Sequence, residues 1–266
     1  MVILEDIAGF LNGKFPESLK ESWDNVGLMT GDRAQEISKV LVCLDVTSDT
    51  VKEAADFGAE LIISHHPLIF SPVKKIVENE ENGSILRALI QNNISVYSMH
   101  TNFDKAKGGM NDLLCEKLGL SDVREYLDEE LKSPSGKDIE NFGRVGELSS
   151  PMTLDDFADY VKMSLDCRAL KLCGDGGDRV SKVALCTGSG GDMIYAAYNS
   201  GADVYLTADL GHHDAQTAAE LGLNLIDAGH FETENIICEF LYDLLSSEFP
   251  DLFIKKSQAE PFFRSI

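Results

Sequence analysis

The sequence predicts an α/β fold made of two similar units, each with a largely parallel or mixed sheet. Strand-like and helix-like segments alternate along the first hundred residues, the order expected of parallel strands joined by right-handed crossovers. The chain also repeats itself. Residues 201–207 (GADVYLT) match residues 58–64 (GAELIIS) at an offset of 143, and residues 225–230 correspond in position to 95–100 at an offset of 130, both segments ending in a histidine. Such repetition predicts two copies of one supersecondary unit related by a pseudo-twofold axis.

The first half contains the clearest elements. In chain order they are a helix over residues 3–11, a strand over 39–45, a helix over 50–57, a strand over 61–64, a helix over 84–92 and a strand over 94–99. Thr47, Ser48 and Asp49 offer an N-cap for the second helix, and Gly58 can end it in a left-handed conformation. Residues 21–28 (ESWDNVGL) have the composition of a turn-rich segment.

The second half begins after a polar connection over residues 121–147, which includes DEE at 128–130 and SPSG at 133–136. Within it, residues 144–148 fit an edge strand. The elements that follow are a helix over 155–165, strands over 169–173 and from 183, a helix over 192–199, and the two repeated strands. We therefore predict a first lobe over 1–125 and a second over 126–266, with no inserted third domain and with the C-terminal residues able to pack back on the first lobe.

Composition narrows the class of protein. The chain has 266 residues, 44% of them hydrophobic, which is enough to bury a sizeable core. With 45 acidic and 23 basic residues its net charge is −22, which disfavours broad nucleic-acid binding, although solubility alone explains such acidity. The six scattered cysteines indicate reduced thiols, and no apolar stretch approaches the length of a membrane span. We expect a cytoplasmic protein without membrane segments.

The histidines carry the functional signal. All six fall in four short segments, which are His65 with His66, His100, His212 with His213, and His230. His100-x-x-x-Asp104 aligns with His230-x-x-x-Glu234 at the repeat offset of 130, and each pair follows a predicted strand. Strand ends are where α/β sheets place binding sites. For two adjacent histidines alone a structural role is equally reasonable, but the repeated clustering favours a metal site.

The ligand types indicate which metals fit. Four imidazoles and two carboxylates suit zinc, manganese, iron, cobalt or nickel better than magnesium or calcium. This count fits two divalent ions, with a carboxylate to bridge them. The candidate ligands are His65, His66, His100, Asp104, His230 and Glu234.

Other polar residues are candidates for supporting roles. His212 and His213 correspond to no ligand in the first half; pocket, substrate-contacting and solvent-exposed roles all fit them, and we favour the pocket. Asp209 aligns with His66 across the repeat and is a candidate pocket carboxylate. We select His213 and Glu232 as candidate catalytic residues, in the role of general acid.

Several motifs together resemble a known family. They are SHHPL at 64–68, HTNFD at 100–104 followed by GGMN at 108–111, GHFETE at 229–234, ESWDNVGL at 21–28 and GSG at 188–190. The chain resembles the YbgI or NIF-three-like family, whose members are called type 2 GTP cyclohydrolase I homologues. The resemblance implies two αβα lobes, a dinuclear metal site in the cleft between them, held by the six candidate ligands, and a toroidal homohexamer.

A metal-dependent hydrolase is the function that this site favours, because such ions activate water and polarise the bond under attack. If the family label holds, the small-molecule substrate is GTP, with attack at C8 of the purine, ring opening and release of formate. One alternative is hydrolysis of a phosphoester or another nucleotide, with the glycines at 188–191 binding phosphate, although a plain tight turn also explains them. Another is a non-enzymatic scaffold or metal-storage protein.

Overall fold

The computed structural model of the chain describes residues 2–78, 80–126 and 142–264, and the chain divides into two compact units. Unit 1 consists of Met1–Ala106 and Ile237–Glu260, and unit 2 of Lys107–Ile236 and Pro261–Ile266. This division groups residues 107–125 with the second half of the chain. Each unit has its own sheet with parallel and antiparallel strands, which confirms the predicted α/β fold of two similar lobes.

The strands and helices are numbered in chain order. The strands are β1 (Val2–Ile3), β2 (Gly27–Thr30), β3 (Glu36–Ile37), β4 (Lys39–Cys43), β5 (Leu61–Ser64), β6 (Ser95–Ser98), β7 (Ser121–Glu125), β8 (Arg144–Thr153), β9 (Lys171–Cys173), β10 (Arg179–Ser189), β11 (Val204–Ala208), β12 (Asn224–Asp227) and β13 (Phe253–Lys256). The helices are α1 (Leu4–Lys14), α2 (Ser48–Phe57), α3 (Glu81–Gln91), α4 (Thr101–Lys105), α5 (Met110–Lys117), α6 (Leu154–Leu165), α7 (Ile194–Asn199), α8 (His212–Leu221), α9 (His230–Glu234) and α10 (Ile236–Glu248).

Unit 1 is built on a five-stranded sheet in the order β13-β4-β5-β6-β2. The first four of these strands are parallel, and β2 runs antiparallel to β6 at one edge. Strands β5 and β6 are buried at every position, as parallel strands usually are. Both predicted caps of α2 are present: Thr47 Oγ1 accepts from the amide of Thr50, and Gly58 ends the helix at φ +75°.

Unit 2 is built on a six-stranded sheet in the order β7-β8-β10-β11-β12-β9. Alternate residues of β10 belong to two different apolar clusters, Val183 and Leu185 to one and Ala184 and Cys186 to the other. Because successive side chains of a strand point to opposite faces, both faces of this sheet are covered. Buried Phe157 of α6 packs in the first cluster, and Ala218 of α8 in the second.

The repeat found in the sequence corresponds to a repeated topology. Within unit 1, parallel strands β4, β5 and β6 are followed by antiparallel β2, and the short helix α4 comes directly after β6. Within unit 2, parallel strands β10, β11 and β12 are followed by antiparallel β9, and the short helix α9 comes directly after β12. Equivalent residues at the two sequence offsets therefore occupy equivalent positions in their own sheets.

Two sequence interpretations need correction, and one strand was not predicted. Gly27 and Leu28, the last two residues of the segment expected to be turn-rich, belong to strand β2 (Gly27–Thr30), because this strand pairs with the edge of β6. The connection over 121–147 contains β7, which forms the sheet edge, so β8 lies one strand inside it. The acidic and Pro-Gly segments at 128–130 and 133–136 lie outside the described residues. Strand β13 was not predicted, because it joins unit 1 only by pairing with distant β4.

The side chain of Glu53, on α2, binds strand β13 and the two residues that follow it. Its carboxylate lies 2.9 Å from Lys255 Nζ and accepts from Ser257 Oγ at 2.9 Å and from the Gln258 amide at 3.1 Å. Burial by itself raises the pKa of Glu53. The hydrogen bonds that it accepts, the one from Lys255 foremost, outweigh burial and hold the pKa below its usual value of 4.5.

We expect Glu53→Gln to lower the free energy of unfolding by about 1–3 kcal/mol at pH 7, since a charged acceptor is lost. A folded-state pKa below the unfolded value stabilises the protein above pH 4.5, and this contribution is lost as the pH falls through the folded pKa. The gap between wild type and variant should therefore shrink on acidification. Urea unfolding at pH 7 and below pH 4.5 measures it, with exposed Glu36→Gln as the control; a gap that is constant with pH would contradict the assignment.

Among the residues that the structure describes, none of the helices combines the length and the apolar character needed to cross a bilayer.

Candidate metal centre

Three histidines of unit 1 meet where adjacent parallel strands end. His65 and His66 directly follow β5, and His100 lies between the end of β6 and the first residue of α4. Each offers a ring nitrogen, and these three nitrogens lie within 4.8 Å of one another. The ring centroids are 5.0 to 5.7 Å apart. The grouping follows from the topology, because the carboxyl ends of parallel strands share one edge of the sheet.

The ring orientation of each histidine is fixed through its Nδ1 atom. His65 donates from Nδ1 to the carbonyl oxygen of Met99 at 2.7 Å. His66 bonds Asp45 Oδ1 at 2.7 Å, and His100 bonds Asp24 Oδ1 at 2.8 Å. A carbonyl or an ionised carboxylate can only accept, so we assign the proton to Nδ1 in each ring. In the neutral ring the lone pair then lies on Nε2, which is the state that a metal ion requires.

Asp104 adds a carboxylate to this cluster. It lies in α4, four residues after His100, and its Oδ1 is 3.5 Å from His65 Nε2. Helix α4 is held against the segment before β2, because Thr101 Oγ1 accepts from the Glu21 amide at 2.9 Å and Lys105 pairs with Glu21. Unit 1 therefore groups its three predicted histidine ligands, and Asp104 contacts this group at His65.

Asp24 is buried and ionised. Burial by itself raises its pKa, but the hydrogen bonds from His100 and Thr101 outweigh burial and lower the pKa of Asp24 to about 2. A full negative charge therefore lies beside the Nδ1 side of His100 at neutral pH.

Unit 2 pairs an imidazole with a carboxylate in the equivalent place. His230 begins α9, and its Nε2 lies 2.9 Å from Oε2 of Glu234, one turn further along. Its Nδ1 bonds Asp209 Oδ2 at 2.7 Å. With the proton on Nδ1, the lone pair of His230 Nε2 faces Oε2 of Glu234. Two acceptor atoms at this distance repel each other, and a cation or a proton shared between them would stabilise the pair.

The glycines at 188–191 are explained by close packing. A Cβ atom at Gly188, which has φ +60°, would collide with Oε1 of Glu234. A Cβ atom at Gly190 would collide with Thr207, and the Gly190 carbonyl accepts from the Tyr205 hydroxyl at 2.8 Å. Helix α7 after this turn has only six residues. These contacts favour the tight-turn interpretation. They also show that Gly188 packs directly against the His230 and Glu234 pair.

The remaining candidates are His212, His213 and Glu232. His212 and His213 are exposed in the first turn of α8, and His213 Nδ1 is 3.4 Å from Gln216 Oε1. Over the described parts of the chain, neither belongs to a set of side chains close enough to share a metal ion. Glu232, half-buried on α9, lies over Gly229. The catalytic roles of His213 and Glu232 stay predictions.

Sequence reasoning missed two residues of the site and recognised a third only in part. Asp24 and Asp45 were not singled out, whereas Asp209 was expected only as a pocket carboxylate. Asp45 stands just after β4, so its strand-end position was an available signal. Asp24 lies 76 residues before His100, and only the folded chain brings them together.

The donor set suits a divalent ion. Unit 1 offers three imidazoles and a carboxylate, and unit 2 offers one imidazole and one carboxylate; zinc and its first-row neighbours prefer such ligand types. The acceptors on Nδ1 are the partners that orient histidine ligands in metal sites. The residues present therefore fit the predicted metals.

Comparison with known proteins agrees with the motifs. The family model described as Duf34/NIF3 (NGG1p interacting factor 3) matches residues 2–261. The chain belongs to the DUF34/NIF3 family. This confirms the family resemblance inferred from the sequence motifs.

Relatives and solved structures cover nearly the whole DUF34/NIF3 chain. A Clostridium perfringens protein named GTP cyclohydrolase 1 type 2 homolog is 41% identical over 231 residues, covering 87% of this chain and 86% of the relative. The crystal structure of a Bacillus cereus protein related to NIF3 has a TM-score of 0.89 at 28% identity, covering 100% of this chain and 99% of the other. The structure of protein ybgI, at 24% identity and a TM-score of 0.80 over 98% and 99% of the two chains, shares the fold.

Proposed function

We propose that this DUF34/NIF3 protein is a hydrolase that depends on divalent metal ions. The observation that carries the proposal is the cluster of His65, His66 and His100, with ring nitrogens within 4.8 Å and every Nδ1 atom already bonded to an acceptor. Two ions per chain, held by the six ligands predicted from the sequence, remain our proposal for the stoichiometry. When bound, such ions lower the pKa of water and polarise the bond under attack, which is the chemistry that hydrolysis needs.

The chain's own residues would hold and orient these ions. His65, which is fully buried, supplies a rigid donor, whereas His66 and His100 are partly exposed, so that a substrate can approach from their side. Asp104 and Glu234 contribute negative charge that balances part of the charge of the ions. We propose His213 and Glu232 as general acids, an assignment that rests on the sequence alone.

We propose GTP as the substrate on the strength of the relatives' name, with opening of the purine ring and release of formate. Hydrolysis of a nucleotide phosphoester at the same ligands is the enzyme alternative, and metal storage is the non-enzymatic one. A homohexamer stays a prediction from the family resemblance, and light scattering of the purified protein would measure it.

The test of the function begins with divalent metal per chain, measured by mass spectrometry of the purified protein. The metal-loaded protein is then given GTP, and formate and phosphate are measured separately. Formate release supports the cyclohydrolase and phosphate release the phosphoesterase. Ready exchange of metal without saturable turnover of any nucleotide would favour storage, and absence of metal after loading would contradict all three.

Asp104→Ala and Glu234→Ala should abolish turnover if the protein is a hydrolase, while the fold is retained. The control is Asp56→Asn, which also removes one carboxylate charge but lies on the exposed face of α2. Circular dichroism checks folding, and metal analysis of each variant shows which ligand was lost. If neither alanine variant changed metal content or turnover, the ligand assignment would be wrong.

The single tryptophan of the chain offers a direct probe of the unit 1 cluster. The ring of Trp23 lies 6.2 Å from the ring of His100, and half of the residue is exposed. Co²⁺ bound to the histidines should quench its fluorescence, because an ion with a partly filled d shell accepts excitation energy at short range. Zn²⁺ has a filled d shell, so it should restore the emission by displacing Co²⁺. Absence of quenching at stoichiometric Co²⁺ would contradict metal binding at this cluster.

A further inference from the structure

Three of the four candidate imidazole ligands bond an aspartate through Nδ1. The pairs are Asp24 with His100, Asp45 with His66, and Asp209 with His230, at 2.7 to 2.8 Å. We infer that these aspartates are positioning residues that fix the tautomer and the orientation of the ligand rings before any metal binds. The inference rests on the proposed metal site and assigns a role to three residues that the function above does not use.

The chemistry of the pair sets the tautomer. An ionised carboxylate offers only acceptors, so the facing Nδ1 must carry a proton, and in the neutral ring Nε2 is left with its lone pair. A free histidine side chain prefers the opposite tautomer, with the proton on Nε2, which would block a metal ion. The aspartate therefore removes a competing ring state, and its charge makes the ring a stronger donor to the metal.

Asp24 does more than orient one ring. Its Oδ1 accepts from His100 Nδ1 and from the Asn25 amide at 2.7 Å, and its Oδ2 accepts from the Thr101 amide at 3.1 Å and the Thr101 hydroxyl at 2.5 Å. Thr101 is the first residue of α4, the helix that carries Asp104. One buried carboxylate thus fixes a ligand ring and the start of the helix that supplies the next ligand.

These four donors explain why a carboxylate is needed at this position. An asparagine side chain has one acceptor oxygen, and its amide nitrogen donates. Whichever way the amide turned, its nitrogen would face a backbone N–H, from Asn25 in one orientation and from Thr101 in the other. His100 would also lose its charged acceptor.

Asp209 makes the equivalent contact in unit 2 under backbone strain. It follows β11 directly and has φ +56°, a left-handed conformation that is uncommon outside glycine. In the sequence repeat Asp209 aligns with His66, and both positions lie beside the histidine of the next strand.

The experiment compares the wild type with Asp24→Asn, with exposed Asp56→Asn as the matched control. Long-range ¹H–¹⁵N NMR of the metal-free protein reports which ring nitrogen carries the proton, and the His100 signals are identified by their loss in His100→Gln. We expect the Nδ1–H tautomer in wild type and control, and a population with the proton on Nε2 in Asp24→Asn. We also expect Asp24→Asn to bind Co²⁺ about 10–100-fold more weakly, with the control unchanged.

An unchanged tautomer together with unchanged Co²⁺ affinity in Asp24→Asn would overturn the inference. If the wild type itself bound no Co²⁺, the proposed function would fail, and the metal-free tautomer measurement would still decide the role of the aspartate. If Asp24→Asn did not fold, Asp45→Ala would decide it through His66, because the Asp45 side chain is 30% exposed. A His66 ring that kept its proton on Nδ1 in Asp45→Ala would then overturn the inference.

Discussion

Replacement of His66 by alanine is expected to weaken Co²⁺ binding by more than about 100-fold. The variant removes one of three imidazoles whose nitrogens lie within 4.8 Å, and loss of a ligand should exceed the 10–100-fold effect typical of a residue that only supports one. His66 is the suitable choice because its side chain is 25% exposed, so its loss leaves no cavity in the core. Quenching of Trp23 and equilibrium dialysis both measure the change.

Asp56→Asn serves as the control in this titration, since it changes charge without touching the histidines. The variant and the control should unfold at the same urea concentration as the wild type. A His66→Ala protein that bound Co²⁺ as tightly as wild type would show that the ion binds elsewhere, and the metal site of unit 1 would have to be abandoned.

A large structural effect is expected from Gly188→Ala. The left-handed φ of +60° costs an alanine about 1–2 kcal/mol, and its Cβ would also collide with Glu234. Glu234 has to move, so we expect a loss of about 2 kcal/mol or more in the free energy of unfolding, together with weaker metal binding at the His230 and Glu234 pair.

Gly222→Ala is the matched control for this variant. Gly222 has φ +72°, but among the described residues no atom other than those of Gly222 and its chain neighbours lies within 4 Å of the Cβ that alanine would add. It should therefore show the conformational cost alone, about 1–2 kcal/mol, with unchanged metal content. Equal destabilisation in the two variants, measured by urea unfolding, would show that contact with Glu234 contributes nothing at Gly188.

The sequence was informative where the signal is local. The caps of α2, Thr47 and Gly58, were predictable because both act through the backbone of neighbouring residues. The histidines after β5 and β6 were predictable because an apolar run that ends in ligands places them at one sheet edge. The repeat then identified the equivalent pair after β12 without any knowledge of the fold.

Signals that depend on pairing with distant residues were missed. Strands β2 and β13 are edge strands, and their hydrogen bonds come from β6 and β4, which are far away along the chain. The polar composition of 21–28 indicated only turns, because a local pattern does not show which edge remains open. The structural role of the glycines at 188–191 was likewise not predictable, because it depends on the side chains of Glu234 and Thr207 that pack against Gly188 and Gly190.

The sequence by itself determined the α/β class, the internal repeat and the identity of the candidate ligands, because periodicity, strand-end position and residue chemistry are all properties of short segments. Only the tertiary structure decided which acceptor fixes each ring. Asp24 reaches His100 across 76 residues, and Asp45 reaches His66 across 21, through the packing of adjacent strands and loops. A hydrogen bond depends on distance and direction in space, and neither can be predicted from separation along the chain.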